Sequence, residues 1–260
     1  MGPKSSLEAT HTGARVSAQT LATTLMTQIE GFYCPSGVDV IHRFLSRGIP
    51  KDDPTLAHCY AFVRNIAYNL QYLEYLNYTL SETELHVTVR TLTLKTFVIT
   101  GMSVIEAILW FVLKKSGLQR MEEWEQVQEL ETRVFKENTV DYQLVNTLLR
   151  RLPESRDVEM PLDSMIKRVE SKKLLGLNVQ VYKDLSYLRK LRNRVHIHAV
   201  QHDKDTDWWS FNDRELKLMK GVLRSVLRSE LFNPLAEHDP LIAYLKVEET
   251  TDALADELLP

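Results

Sequence analysis

The sequence predicts an all-α protein, a helical bundle preceded by an N-terminal helical extension. Three observations carry that prediction. Glycine is scarce, with 9 in 260 residues, which argues against a hairpin-rich fold and against glycine-loop nucleotide sites. Apolar side chains recur at three-four spacing over several long stretches, the period of one buried helix face. Capping and stop signals bracket those stretches.

The composition, 44% apolar and 26% charged, is that of a soluble globular protein able to bury a core without disulfides. Cys34 and Cys59 match no metal-ligand spacing and read as reduced thiols of a cytoplasmic protein. No apolar run follows a basic N-terminal segment, so no secretory signal is expected. The longest apolar stretch, Met102 to Leu113, is too short to span a bilayer, so no membrane partner is expected either. A net charge of -3 excludes a uniformly basic nucleic-acid binder but leaves room for a local basic patch.

The chain divides into an N-terminal helical extension (1–80), a helical domain (81–235) and an acidic C-terminal tail (236–260). Residues Met1 to Arg15 are small and polar, and Val16 to Glu30 has helical character. Pro35 and two glycines mark a loop at Gly31 to Gly37, and Val38 to Arg47 reads as a short helix. Asp53 as cap and Pro54 in the first turn would open a long helix. Its stripe is Leu56, Cys59, Val63, Ile66, Leu70, Leu73 and Leu80, flanked by Tyr60, Tyr68, Tyr72, Tyr75 and Tyr78. Ser81 with Glu84 resembles a capping box for the next helix, which ends at Gly117. Val87 to Leu94 alternates and would also suit a strand, but it runs into a long apolar segment, and helix is expected.

Met121 to Lys136 reads as an acidic amphipathic helix, with Trp124, Val127, Leu130, Val134 and Phe135 for packing. Asp141 to Leu152 reads as a further helix and Pro153 to Pro161 as a linker. Asn212 with Glu215 caps a final amphipathic helix carrying Leu216, Met219, Leu223, Val226 and Leu227. Pro234 and Pro240 close the compact part, and the acidic tail reads as disordered or loosely packed, with docking on the basic patch in imitation of nucleic acid as the alternative.

Between Leu162 and Arg194 the charge inverts, with nine cations against Asp163, Glu170 and Asp184. Within that stretch Leu185, Leu188 and Leu191 occupy one side of a helix. Arg189, Lys190, Arg192, Asn193 and Arg194 follow, then His196 and His198. Arginine offers a permanent charge and a fork for phosphate, and histidine moves a proton near neutrality. Such a cluster suits a polyanion, with Lys172 and Lys173 as further contacts. Helix-end capping by the same residues is the structural alternative, and a metal site at His196, His198 and His202-Asp203 is a weaker rival.

With these residues in place, roughly Ser81 to Leu231 resembles the HEPN superfamily of helical domains. The resemblance rests on a long apolar helix with an internal acid at Glu106, on LRKLRNRVHIH, and on the final amphipathic helix. The family signature is an arginine, a small polar residue, and a histidine a few positions on. Arg192-Asn193 with His198 fits it, with five residues between arginine and histidine. Arg189 with His196, six residues between, is a second register.

At about 100° per residue, Arg189 and His196 share a face if the helix continues. Arg192 and His198 converge only if it breaks near Asn193 to Val195. The resemblance implies a metal-independent endoribonuclease without cofactor, acting on RNA, with two copies completing one site. It also implies a toxin or antiviral effector with an antitoxin or regulatory protein as possible partner. A tyrosine that some members modify is Val200 here, which speaks against that form of control. Glu106 would orient a basic residue of the site. A non-catalytic module binding RNA, nucleotide or protein is the alternative.

Overall fold

In the computed structural model, residues 33, 35–130, 133–198, 200 and 202–247 are described. The expected helix at Val16 to Glu30, Cys34, and the tail beyond Val247 lie outside them. The element order is α1 (Val38–Leu45), α2 (Cys59–Glu82), α3 (Val87–Lys115), β1 (Arg120–Glu129), β2 (Arg133–Glu137), β3 (Val140–Leu144), β4 (Thr147–Val158), α4 (Leu162–Ser171), α5 (Val179–Arg192), a short α6 (Asp207–Ser210) and α7 (Asp213–Leu227). 3-10 turns follow α5 at Asn193–Val195 and close the described chain at Ala236–Leu245.

Helix α3 is the axis of the body, with α2, α4, α5 and α7 packed against it. Its buried positions include Leu94, Phe97, Val98, Met102, Ile105, Ile108, Leu109 and Val112. That is helical three-four spacing and decides against the strand that Val87 to Leu94 also suited. By length and composition alone α3 could cross a membrane, but in its most apolar window 61% is buried by the other helices. It ends as a Schellman motif: Gly117, at φ +64, donates to the Lys114 carbonyl, and Leu118 donates to Leu113 at 2.8 Å.

Two helix starts differ from the sequence expectation. Asp53 accepts from the Thr55 amide at 3.0 Å and forms a local turn, and α2 begins later, at Cys59. Ser81 lies in the last turn of α2, its hydroxyl donating to the Asn77 carbonyl, and His86 caps α3 instead. The Asn212–Glu215 capping box of α7 forms as expected. Tyr60, Tyr68, Tyr72 and Tyr75 stand about half-exposed beside the buried stripe of α2, and Tyr78 is partly buried against Tyr33.

The expectation of an all-α fold is overturned. Of the described residues 56% are helical and 15% are in strands, and the strand is concentrated in one place. Met121 to Lys136 and Asp141 to Leu152, expected as helices, form antiparallel pairs β1–β4 and β2–β3, and the expected linker continues β4 to Val158. Together they make a hairpin arm.

Bulges explain the misreading. Register shifts between Glu122 and Trp124 and between Gln126 and Gln128 displace the alternation. Trp124, Val127, Leu130 and Val134 are therefore spaced like one face of a helix. At the tip Asn138 and Thr139 both take positive φ, 51° and 70°, the geometry of a two-residue hairpin turn. Asn138 accepts that region readily, whereas the β-branched Thr139 does so under strain.

The C-terminal turns belong to the body. Ile242 and Leu245 are buried, and the Tyr244 hydroxyl donates to the Leu70 carbonyl at 3.3 Å. Gly48 sits so close to the Leu231 carbonyl that a Cβ there would lie 2.6 Å from it. Arg47 donates to the carbonyls of Phe232 and Asn233, and Phe44 packs on Phe232.

Candidate functional site

Helix α5 presents the site. The Asn178 side chain caps it, accepting from Val181 N at 3.0 Å. Tyr182, Leu185, Leu188 and Leu191 are buried, so its position against α3 and α7 is fixed by apolar packing. Arg189, Lys190 and Arg192 crowd the last turn, where cations offset the exposed carbonyls.

The helix stops at Arg192. Asn193 takes the C-cap position, the chain makes one 3-10 turn through Val195, and His196 is extended at φ -84 and ψ 100. This is the break that the Arg192–His198 register requires, and it removes the continuous helical face on which Arg189 and His196 would align. Asn193, His196, Ile197 and His198 are exposed, with the two imidazole centroids 5.9 Å apart. Among the described residues no group of three or more His, Cys, Asp or Glu side chains converges for a metal.

Glu106 projects from α3 and accepts a hydrogen bond from Arg192 Nη2 at 2.8 Å. The side chains are 25% and 35% exposed, and a pair so open to water contributes only about 0–1 kcal/mol of stability. Its effect is therefore directional: it holds the guanidinium beside the helix end. Glu106 also borders a groove of about 460 Å³ lined by Phe62, Trp110, Met160 and Met165.

The other cations separate into two classes. Arg189 pairs with Asp163 at 3.1 Å, and Arg194 pairs with the Asp205 carboxylate while donating to its carbonyl at 2.9 Å. The Lys167 hydrogen bond, with smaller help from Arg189, holds the Asp163 carboxyl below its ordinary range. Lys190, Lys172 and Lys173 are exposed. Of the five residues expected to meet RNA, two are thus engaged within the chain and three are open.

Asp205 and Asp207 were not expected in any role. Asp207 lies 4.0 Å from Arg194 Nε and accepts from Lys95 Nζ of α3 at 2.8 Å. The segment carrying the histidines is therefore tied at Arg194 before it and at Asp205 and Asp207 after it. These groups, with His196, Ile197, Val200 and Thr206, surround a pocket of about 190 Å³. Alternate aspartates at 203, 205 and 207, just after a cationic helix end, were the available signal.

Comparison with protein-family models, curated proteins and solved structures yields no match to this chain.

Proposed function

We propose that the chain is a metal-independent endoribonuclease of HEPN type, with Arg192, Asn193 and His198 at its centre and His196 as a second imidazole. The observation that carries the reading is the end of α5. The helix terminates directly after Arg192, the chain turns out into an exposed segment with both histidines, and Glu106 holds the arginine in place.

The chemistry follows from these groups. A neutral imidazole takes the proton of a ribose 2′-hydroxyl as that oxygen attacks the adjacent phosphorus. The P–O5′ bond breaks, and a second, protonated imidazole returns a proton to the leaving 5′-oxygen. The products are a 2′,3′-cyclic phosphate and a 5′-hydroxyl. The Arg192 fork offsets charge on the phosphorane oxygens, and Asn193 donates to phosphate or steadies an imidazole. Two copies meeting at these segments supply the imidazoles, and Lys190, Lys172 and Lys173 draw in the RNA backbone. The proposed setting is a cytoplasmic toxin or antiviral effector held in check by a protein partner.

A second reading is an RNA, nucleotide or protein-binding module that does not cleave. It is favoured by one observation: Arg189 and Arg194 are spent on Asp163 and Asp205, which leaves a modest open basic surface.

The test incubates the full chain with total RNA in EDTA beside R192A and H198A. Cleavage falls by about 10²–10⁴-fold in each variant if these groups act on the reacting atoms. Glu106→Gln lowers it less and leaves stability within about 1 kcal/mol. Equal cleavage by wild type and variants overturns the proposal, and RNA binding without cleavage selects the second reading.

A further inference from the structure

Among the described residues, nothing lies beneath the apolar face at the tip of the β arm. In the β2–β3 ladder Arg133 pairs with Leu144, Phe135 with Tyr142, and Glu137 with Val140. Cross-strand partners share a face, so these six side chains lie on one side of the tip. Val134, Lys136, Asp141 and Gln143 lie on the other, where Lys136 and Asp141 approach to 3.9 Å. The Phe135 and Tyr142 rings stack at 5.5 Å in the centre of the apolar side, yet are 50% and 44% exposed. Two strands alone are marginal in water and need a cover for such a face.

Charge disfavours RNA as that cover. Residues 120–158 hold six basic against nine acidic side chains. The β4 arginines are matched across the arm, Arg150 with Glu125, Arg151 with Glu123 and Arg156 with Glu122. The face is instead complementary to itself. Along β2 it reads Arg133, Phe135, Glu137, with opposite charges equally spaced about the aromatic. Two such faces packed across a twofold axis perpendicular to the strands place Phe135 on its own counterpart. Each Arg133 then meets a Glu137 of the second copy.

We infer that the arm tip is a self-association surface, and that its occupant is the same face of a second copy of this chain. The contact is isologous, with strands of the two tips antiparallel and β2 over β2. It buries the Phe135–Tyr142 stack and exchanges two Arg133–Glu137 pairs. This surface is separate from Arg192 and the histidines and does not depend on the ribonuclease reading.

Sedimentation equilibrium of the full chain tests it. Wild type dimerises with rising concentration, and Phe135→Glu weakens the dimer by about tenfold or more. Circular dichroism checks that the helical body of this variant is intact. Arg133→Glu and Glu137→Arg each weaken the dimer, while the double variant R133E/E137R restores it, because a twofold contact is reciprocal. A wild-type monomer at all concentrations overturns the inference. So does a dimer indifferent to all these changes, or one that the double variant fails to restore. Phe135, Arg133 and Glu137 lie outside the segment that carries Arg192 and the histidines, so a dimer held at that segment alone is indifferent to these changes and is told apart from one held at the arm tip.

Discussion

The helical body and the β arm are built on opposite principles. In the body, one face of each main helix is sealed against α3, and Phe97, Ile105, Leu188 and Leu223 have no measurable exposure. In the arm, large apolar side chains such as Val134, Leu148 and Leu149 are about half-exposed or more, on both strands and both sides. Among the described residues the arm has backbone pairing and cross-strand ion pairs but no core. Stability in this protein is therefore local to the body, while the arm contributes surface.

The largest difference should appear on truncation. Leu188→Ala should cost about 2–5 kcal/mol, because it opens a cavity in a sealed core. Leu148→Ala in the arm should stay within about 0.5 kcal/mol. Urea denaturation at dilute concentration measures both, and similar losses would erase the distinction.

Excision is the next test. Arg120 and Val158 are paired at the arm's base, so a two-residue Asn-Gly turn can join them. The shortened chain should keep its helical signal, with the melting temperature moved by roughly 4 °C or less. Collapse of the helical signal would mean that the arm holds the body together.

The smallest effect concerns the hinge between the two regions. Asp157 accepts from Lys114 of α3 at 2.6 Å and from Gln119 at 3.2 Å. The Lys114 hydrogen bond, more than Gln119, holds its carboxyl below the usual carboxylate range. A depressed folded pKa adds stability above the unfolded value, near pH 4, and that stability is lost as pH falls through the folded value. Amide exchange at the arm's base, measured against α3 amides, should therefore accelerate in acid. Asp157→Asn should remove that pH dependence, and an unchanged profile would show that the hinge does not rest on this carboxylate.

The same division explains what could be read from the sequence. Where one face is buried, burial imposes a period: the stripes of α2 and α7 and the Leu185–Leu188–Leu191 side of α5 follow it. The arm has no buried face, so nothing enforced alternation, and two bulges gave Trp124, Val127 and Leu130 a helical spacing. The overlooked cue was Val140, Tyr142 and Leu144 alternating directly after Asn138-Thr139. In the candidate site, Arg192, Asn193, His196 and His198 could be singled out because they are neighbours in sequence at the end of one helix. The engagement of Arg194 by Asp205 and of Arg189 by Asp163 was not, because it depends on how the loop returns and how α4 lies on α5.

The stitch between α1 and the C-terminal segment carries a consequence for synthesis. Arg47 reaches carbonyls 185 and 186 residues later in the chain, and Phe44 rests on Phe232. Contacts this distant form late, since the intervening chain must already be ordered. During translation α1 leaves the ribosome before the other described helices, but one side of it stays wet until residue 233 has been made. Until Phe232 has been made, the nascent chain therefore displays that side of Phe44 to whatever binds emerging chains.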